Sequence, residues 1–151
     1  MLIYAHRGAS SDFAEGSKAA YQGAIVQGAD GFECDVRLTK DRQIICYHDR
    51  DTTRLSKIDL EIAKTTYSEL KEEVDPYRLD QLLDLAIENK KDLLIEFKHP
   101  VPTRGLIEKQ VHKLLSEKAS EIQESRISIT LFHFHIWQRC VTKKARINLA
   151  H

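Results

Sequence analysis

The stretch GFECDVRL, residues 31–38, decides how the rest of the chain can fold. Apolar and charged residues alternate along it, which is typical of a β-strand whose successive side chains point to opposite faces of a sheet. This period places Glu33, Asp35 and Arg37 on one face. Two carboxylates on one face fit an exposed edge strand. They equally fit a buried strand on which a hard divalent cation neutralises them.

Strand patterns and helix patterns alternate on both sides of this stretch. The predicted strands are Leu2–Ala5, Gly31–Leu38, Ile44–Tyr47, Asp92–Phe97 and Ile127–Phe132, and the predicted helices are Ser17–Gln27, Tyr67–Glu72, Leu79–Glu88, Leu106–Lys118 and Ile136–Lys144, with a last apolar run at Ile147–Leu149. Such alternation indicates an α/β fold of parallel strands covered by helices, either an open doubly wound sheet or part of a β/α barrel. Neither a G-x-G-x-x-G pattern nor a P-loop follows a strand, so nucleotide binding on an open sheet has little support.

Another predicted strand with an acidic residue lies in LLIEFKHP, residues 93–100. Glu96 and Lys98 share one face of this otherwise apolar strand. A third carboxylate for the same metal, beside a lysine for an anionic substrate, accounts for both residues. A solvated strand face is the simpler alternative for this stretch taken alone.

Two histidines follow the ends of predicted strands. His6 and Arg7 lie in YAHRGAS, residues 4–10, and His48 lies in YHDRDTTR, residues 47–54. Functional sites of α/β proteins lie at the carboxyl ends of their strands, where two histidines can act as general acid and general base. A basic surface turn without catalytic function is the competing interpretation.

The composition limits the partners and the compartment that we expect. The 151 residues suit one domain, and 23 basic residues against 23 acidic ones give no reason to expect a nucleic-acid partner. Three cysteines without a C-x-x-C pair favour a reducing compartment. We see neither a membrane span nor a signal peptide, and we therefore expect a cytoplasmic protein.

Taken together, the motifs resemble the glycerophosphodiester phosphodiesterases of the bacterial type, which are metal-dependent enzymes with a β/α barrel. The matching segments, in chain order, are AHRGAS (5–10), GADGFECDVRLTKDRQIICYHD (28–49), TTYSELK (65–71), LDQLLDLA (79–86), LLIEFK (93–98) and LFHFHIWQRC (131–140). The resemblance covers essentially all 151 residues. It implies hydrolysis of a glycerophosphodiester to sn-glycerol 3-phosphate and an alcohol, within lipid and glycerol metabolism.

The resemblance also implies a role for individual residues. His6 and His48 match the acid–base histidines of the family, Glu33, Asp35 and Glu96 match its ligands for Mg²⁺ or Ca²⁺, and Arg7, Lys98 and Glu15 match residues that bind the phosphate or the substrate. The loop before the first helix departs from the family pattern, since Ala14-Glu15-Gly16-Ser17 stands where Pro-Glu-Asn-Thr is usual.

The length is the larger departure. A β/α barrel takes about 250 residues, so we expect residues 1–151 to form one domain truncated at its C-terminus after about five strands. Half a barrel leaves sheet edges and an apolar face uncovered, which predicts a homo-oligomer that covers them. The alternative is that the 151 residues are a fragment of a longer gene product. Two alternatives to hydrolysis stay open: an inactive half-barrel scaffold that binds metal, phosphate or a partner, and a phospholipase D-like lyase that forms a cyclic phosphate.

Overall fold

The computed structural model describes residues 1–98 and 105–133. In this part of the chain the strands are β1 (Tyr4–His6), β2 (Gly31–Leu38), β3 (Ile44–Cys46), β4 (Asp92–Phe97) and β5 (Ile129–His133), and the helices are α1 (Lys18–Val26), α2 (Tyr67–Glu73), α3 (Leu79–Glu88), α4 (Leu106–Glu117) and α5 (Ala119–Ser125), with a 3₁₀ turn at Ile62–Lys64. The helix predicted over Ile136–Lys144 and the run predicted at Ile147–Leu149 lie outside the described residues.

Strand β2 lies inside the sheet. It runs parallel to β1 on one side and to β4 on the other, and β5 extends the sheet parallel to β4. The short strand β3 returns antiparallel to the last three residues of β2. Every residue of β2 except Arg37 is buried. The exposed edge strand that the sequence also allowed is therefore wrong, and the alternation of charge in GFECDVRL belongs to a buried strand.

The two faces of the sheet differ in chemistry. One face carries Phe32 and Cys34 of β2 and Ile95 of β4, which are fully buried in the apolar core. The helices that cover this face contribute Tyr21 and Ala24 from α1, Leu82, Leu83 and Ala86 from α3, and Ile107, Val111 and Leu115 from α4. The opposite face of the same strands carries the acidic residues, so the core positions the acidic face without sharing residues with it.

Local signals explain where the helices begin. The Ser17 hydroxyl accepts a hydrogen bond from the backbone N–H of Ala20 and so caps α1, as the sequence predicts. Thr66 and Glu69 form a reciprocal capping box at the start of α2. None of the helices in the described residues has the length and apolar character needed to cross a bilayer.

The structure departs from the prediction at two places. The first strand begins at Tyr4, because its register with β2 starts there, and Leu2 and Ile3 are exposed although the sequence predicted a buried strand from Leu2. Helix α5 was not predicted. It buries no residue and therefore has no apolar period by which a sequence pattern could reveal it.

Candidate active site

Three carboxylates converge on the acidic face of the sheet. Glu33 and Asp35 come from β2 and Glu96 comes from β4, and Asp35 and Glu96 are direct neighbours in the register of the two strands. One oxygen of each carboxylate lies within 4.8 Å of the others. All three residues are buried, with exposed fractions of 7 %, 2 % and 6 %. The structure brings these three side chains together, and their role as metal ligands stays a prediction.

Two cationic side chains reach into this acidic cluster. Arg7 Nε lies 2.8 Å from Asp35 Oδ2, and Lys98 Nζ lies 2.9 Å from Asp35 Oδ1. Lys98 also pairs with Glu96. Two positive charges against three negative ones leave one negative charge uncompensated in a buried place. Burial of unpaired charge is costly, so the cluster has a strong electrostatic reason to bind a further cation.

Burial disfavours the charged form of Glu33. Burial above all, together with the negative charge of Asp35, raises the pKa of Glu33 to about 7. Its Oε2 accepts a hydrogen bond of 3.2 Å from the backbone N–H of Arg7. Its Oε1 is buried and has no hydrogen-bond partner among the described residues. An oxygen of this kind is suited to a hard metal ion, because the ion replaces the missing hydrogen bond and the missing positive charge.

The turn after β1 brings Arg7 to Asp35. Arg7 and Gly8 have φ angles of +56° and +78°, in the left-handed region. A Cβ at residue 8 would lie 2.6 Å from the backbone carbon of Ala20, so only glycine fits this turn against α1. The glycine of the HRG motif is therefore required by the backbone conformation of the turn. The glycine lets the chain turn sharply enough that the arginine faces the buried carboxylates.

Both predicted histidines lie beside the acidic cluster, His6 as the last residue of β1 and His48 on the loop after β3. His6 Nε2 is 3.7 Å from Glu33 Oε2, and the His6 side chain is 66 % exposed. His48 Nδ1 is 2.7 Å from Asp49 Oδ1. The guanidinium of Arg37 donates two hydrogen bonds, of 2.9 and 2.7 Å, to the backbone oxygen of His48. His48 also lines a small cavity together with Arg7 and Asp35.

Arg54 links the loop between β1 and α1 to the loop after β3, and sequence reasoning gave it no role. Its guanidinium pairs with Asp49, the partner of His48, and with Glu15. Glu15 in turn lies 3.2 Å from Arg7 Nη1. The hydrogen bond from Arg54 is the largest cause of a lowered pKa of Glu15.

The only sequence signal for Arg54 is the charged run that follows His48, and such runs are usually solvated loop surface. Its partner Glu15 contacts Arg7 although the loop that carries Glu15 departs from the family pattern, and a role of Glu15 in substrate binding stays a prediction.

Comparison with known proteins gives one consistent family. The model of the glycerophosphoryl diester phosphodiesterase family matches residues 6–151. The chain is 34 % identical over 133 residues to the probable glycerophosphodiester phosphodiesterase 1 of Mycobacterium tuberculosis, covering 76 % of this chain and 48 % of that protein. It is 30 % identical over 145 residues to the glycerophosphodiester phosphodiesterase of Bacillus altitudinis, covering 87 % and 58 %.

The fold shows the same likeness. The crystal structure of the glycerophosphodiester phosphodiesterase from Thermotoga maritima matches with a TM-score of 0.70 and 28 % sequence identity, over 88 % of this chain and 62 % of that one. The parallel strands, with helices outside and carboxylates inside, are thus part of a β/α barrel. The chain spans about half the length of the curated relatives it matches.

Proposed function

The chain belongs to the glycerophosphoryl diester phosphodiesterase family, and we propose that it carries the metal site and the acid–base groups for hydrolysis of glycerophosphodiesters to sn-glycerol 3-phosphate and an alcohol. The observation that supports this most strongly is the buried cluster of Glu33, Asp35 and Glu96 with Arg7 and Lys98 against it. Carboxylates for a metal ion and cations for a phosphate are the two requirements of such a reaction, and both are met within one buried site.

Glu33, Asp35 and Glu96 are the residues that would hold a divalent ion. All their donor atoms are carboxylate oxygens, which suits Mg²⁺ or Ca²⁺ rather than a soft metal. When bound, the ion supplies positive charge that polarises the phosphate. The charges also balance: a divalent ion changes the cluster from one net negative charge to one net positive charge, which a phosphodiester monoanion then neutralises.

Arg7 and Lys98 would hold the phosphate. Both lie against Asp35, at 2.8 and 2.9 Å, so their charges are already fixed in place before a substrate binds. The contact between Glu15 and Arg7 at 3.2 Å keeps the guanidinium in its orientation. Charge placed in advance in this way stabilises a phosphoryl transition state without the cost of reorganisation.

His6 and His48 would move the protons. One histidine takes the proton of the attacking hydroxyl, which belongs to water or to the glycerol part of the substrate. As the new P–O bond forms and the old one breaks, the other histidine gives a proton to the leaving alcohol oxygen. Asp49 holds His48 through Nδ1 at 2.7 Å and so leaves Nε2 for this transfer. Attack by the glycerol hydroxyl gives a cyclic phosphate, which water must then open.

The test is release of sn-glycerol 3-phosphate from glycerophosphocholine, measured with Mg²⁺, with Ca²⁺ and with chelator, and with His6→Ala as the control. We expect metal-dependent release that the variant loses. Phosphorus NMR of the same reaction separates an open product from a persistent cyclic ester, the product of a lyase. A folded sample that binds metal and releases neither product contradicts the proposal and favours a binding scaffold.

A further inference from the structure

Arg37 is a cation on the acidic face of β2 to which the proposed reaction gives no role. It is the one residue of β2 that is not fully buried. Within residues 1–98 and 105–133 its guanidinium forms no ion pair, whereas Arg7 and Lys98 both pair with Asp35. Burial lowers the pKa of Arg37 and the carboxylates of Asp35 and Asp49 oppose this, so the guanidinium stays charged. A charge in this place calls for a purpose other than neutralising the carboxylates.

The guanidinium of Arg37 directs two donors at one backbone atom. Nε and Nη2 donate hydrogen bonds of 2.9 and 2.7 Å to the backbone oxygen of His48. A carbonyl oxygen has two lone pairs, so the planar fork of the guanidinium occupies both of them. Hydrogen bonds from a charged donor are also stronger than those between neutral groups. Arg37 therefore places a strong two-point contact on a neutral carbonyl, and what this contact fixes is the position of residue 48.

His48 lies where the pairing of β2 with β3 has stopped. The paired register ends with β3, and the backbone N–H of Tyr47, the next residue, still donates a hydrogen bond of 2.8 Å to the backbone oxygen of Asp35. His48 follows Tyr47 and stands beyond this register. Arg37 stands on β2, opposite the middle residue of β3. Its side chain therefore extends the attachment of this segment to β2 by one more residue.

Two contacts together determine where the imidazole of His48 lies. Asp49 contacts Nδ1 of the ring at 2.7 Å, and Arg37 holds the backbone oxygen of the same residue. Asp49 belongs to the same loop as His48 and moves with it, whereas Arg37 belongs to the sheet. The contact from Arg37 therefore relates His48 to the strand that carries Glu33 and Asp35. Such placement matters, because a misplacement of about 1 Å can slow a reaction about a hundredfold.

We propose that Arg37 is a positioning residue for the reaction: it ties the backbone of His48 to β2 and so sets the distance between the proton-transfer group and the carboxylate cluster. This inference rests on the proposed function, because it takes His48 to be the residue that moves a proton. It also requires an arginine. The ammonium group of a lysine carries the same charge but lacks two donors in one fixed plane, so it cannot occupy both lone pairs of the carbonyl in the same way.

The first test needs neither metal nor turnover. NMR of the labelled chain gives the ¹³C shift of the His48 carbonyl and the ¹⁵N shifts of its ring, and the β2 amides show that each variant is folded. We expect both His48 signals to change in Arg37→Gln and to return only part of the way in Arg37→Lys. Arg50→Gln is the matched control, because it removes the same charge two residues after His48, from a side chain that is 74 % exposed and pairs with Glu61. It should leave both signals unaltered.

Kinetics test the consequence for the reaction. We expect Arg37→Gln to lower kcat for release of sn-glycerol 3-phosphate about thirtyfold, with KM nearly unchanged. Added to His48→Ala, the same change should cost nothing further, because Arg37 acts through His48.

Unaltered His48 signals in Arg37→Gln, or in Arg37→Lys should the first variant not fold, overturn the inference. A further full loss of rate in the double variant also overturns it. If the unaltered chain releases product and Arg37→Gln keeps its kcat, only this inference fails. If the His48 signals change as expected but the unaltered chain releases no product with metal, the proposed function fails and the attachment of His48 to β2 by Arg37 stands.

Discussion

The acidic cluster and the loop that carries His48 lie side by side but are held in different ways. Glu33, Asp35 and Glu96 stand on two hydrogen-bonded strands, and their spacing follows from the strand register. His48 stands on the loop after β3 and is oriented by a side-chain contact with Asp49, whereas His6 ends β1 and pairs with Glu33 in the strand register. Backbone pairing fixes the first region, and side-chain pairing fixes the second.

This difference separates two parts of the chemistry. Metal affinity should depend on the strands and be insensitive to changes in the loops, because the sheet holds the carboxylates whatever the loops do. Proton transfer by His48 should depend on its loop, since a histidine must lie within hydrogen-bond reach of the atom it serves. Substitutions in each region therefore test whether the two regions are held independently.

The largest effect should follow Glu96→Gln. The change removes one of three carboxylate charges from the cluster, and we expect Mg²⁺ or Ca²⁺ to bind roughly a hundredfold more weakly. Calorimetric titration measures it. At a free ion concentration of about 100 times Kd the unaltered chain should gain about 2.7 kcal/mol in its free energy of unfolding, and the variant should not. Glu88→Gln at the end of α3 is the control. Equal affinity in Glu96→Gln would remove the cluster as the metal site.

The next effect concerns the turn after β1. Gly8→Ala places a Cβ 2.6 Å from the Ala20 backbone at a φ of +78°, and we expect the free energy of unfolding to fall by about 3 kcal/mol. Gly28→Ala is a matched control, because Gly28 has a φ of +80° and nothing lies within 4 Å of its added Cβ. It should cost only about 1 kcal/mol. Urea unfolding of both variants measures the difference, and equal costs would mean that the contact with α1 is unimportant.

How much the sequence could predict follows the same division. The acidic face of β2 was predictable, because a period of two places Glu33 and Asp35 together whatever surrounds them. The position of Glu96 beside Asp35 was predictable from the parallel-strand pattern, since Asp35 and Glu96 both lie in the second half of their strands. The positions of these residues depend on the strand period and on strand pairing, and periodic sequence patterns predict both.

The loop contacts could not be predicted in this way. Arg54 and Glu15 are 39 residues apart, and neither belongs to a periodic element, so no pattern links them. The prediction that the chain starts with a buried strand was wrong for a related reason. Leu2 and Ile3 are apolar, but burial depends on what packs over a residue, and in the described residues the pairing of β1 begins only at Tyr4.

Arg54→Gln tests whether side-chain pairing positions His48. The change removes the link between Asp49 and Glu15, and we expect product release to slow about tenfold through kcat, with KM nearly unchanged, because a poorly oriented histidine transfers protons less effectively. Divalent-ion affinity should stay unchanged, since Arg54 contacts none of the three ligands in the part of the chain that the structure describes. The ¹⁵N shifts of the His48 ring report its orientation without turnover.

Arg54→Lys keeps the positive charge but lacks the planar fork that spans two carboxylates. It should recover only part of the rate. If Arg54→Gln leaves both the rate and the His48 ring shifts unaltered, Asp49 holds His48 without help, and the two loops are independent.

The smallest effect should be the pH dependence that Glu15 contributes to stability. Its pKa is lowered from 4.5, most of all by the hydrogen bond from Arg54. A lowered folded-state pKa adds stability that is present above the ordinary pKa and is lost as the pH falls through the folded-state value. We therefore expect Glu15→Gln to lower the free energy of unfolding by at most about 1 kcal/mol at pH 7. The difference should shrink as the pH falls below 4.5 and vanish once Glu15 is protonated in both states. Glu124→Gln should show no such pH-dependent difference. A difference of constant size from pH 7 into acid would mean that Glu15 acts through packing and that its charge does not hold Arg7 and Arg54 together.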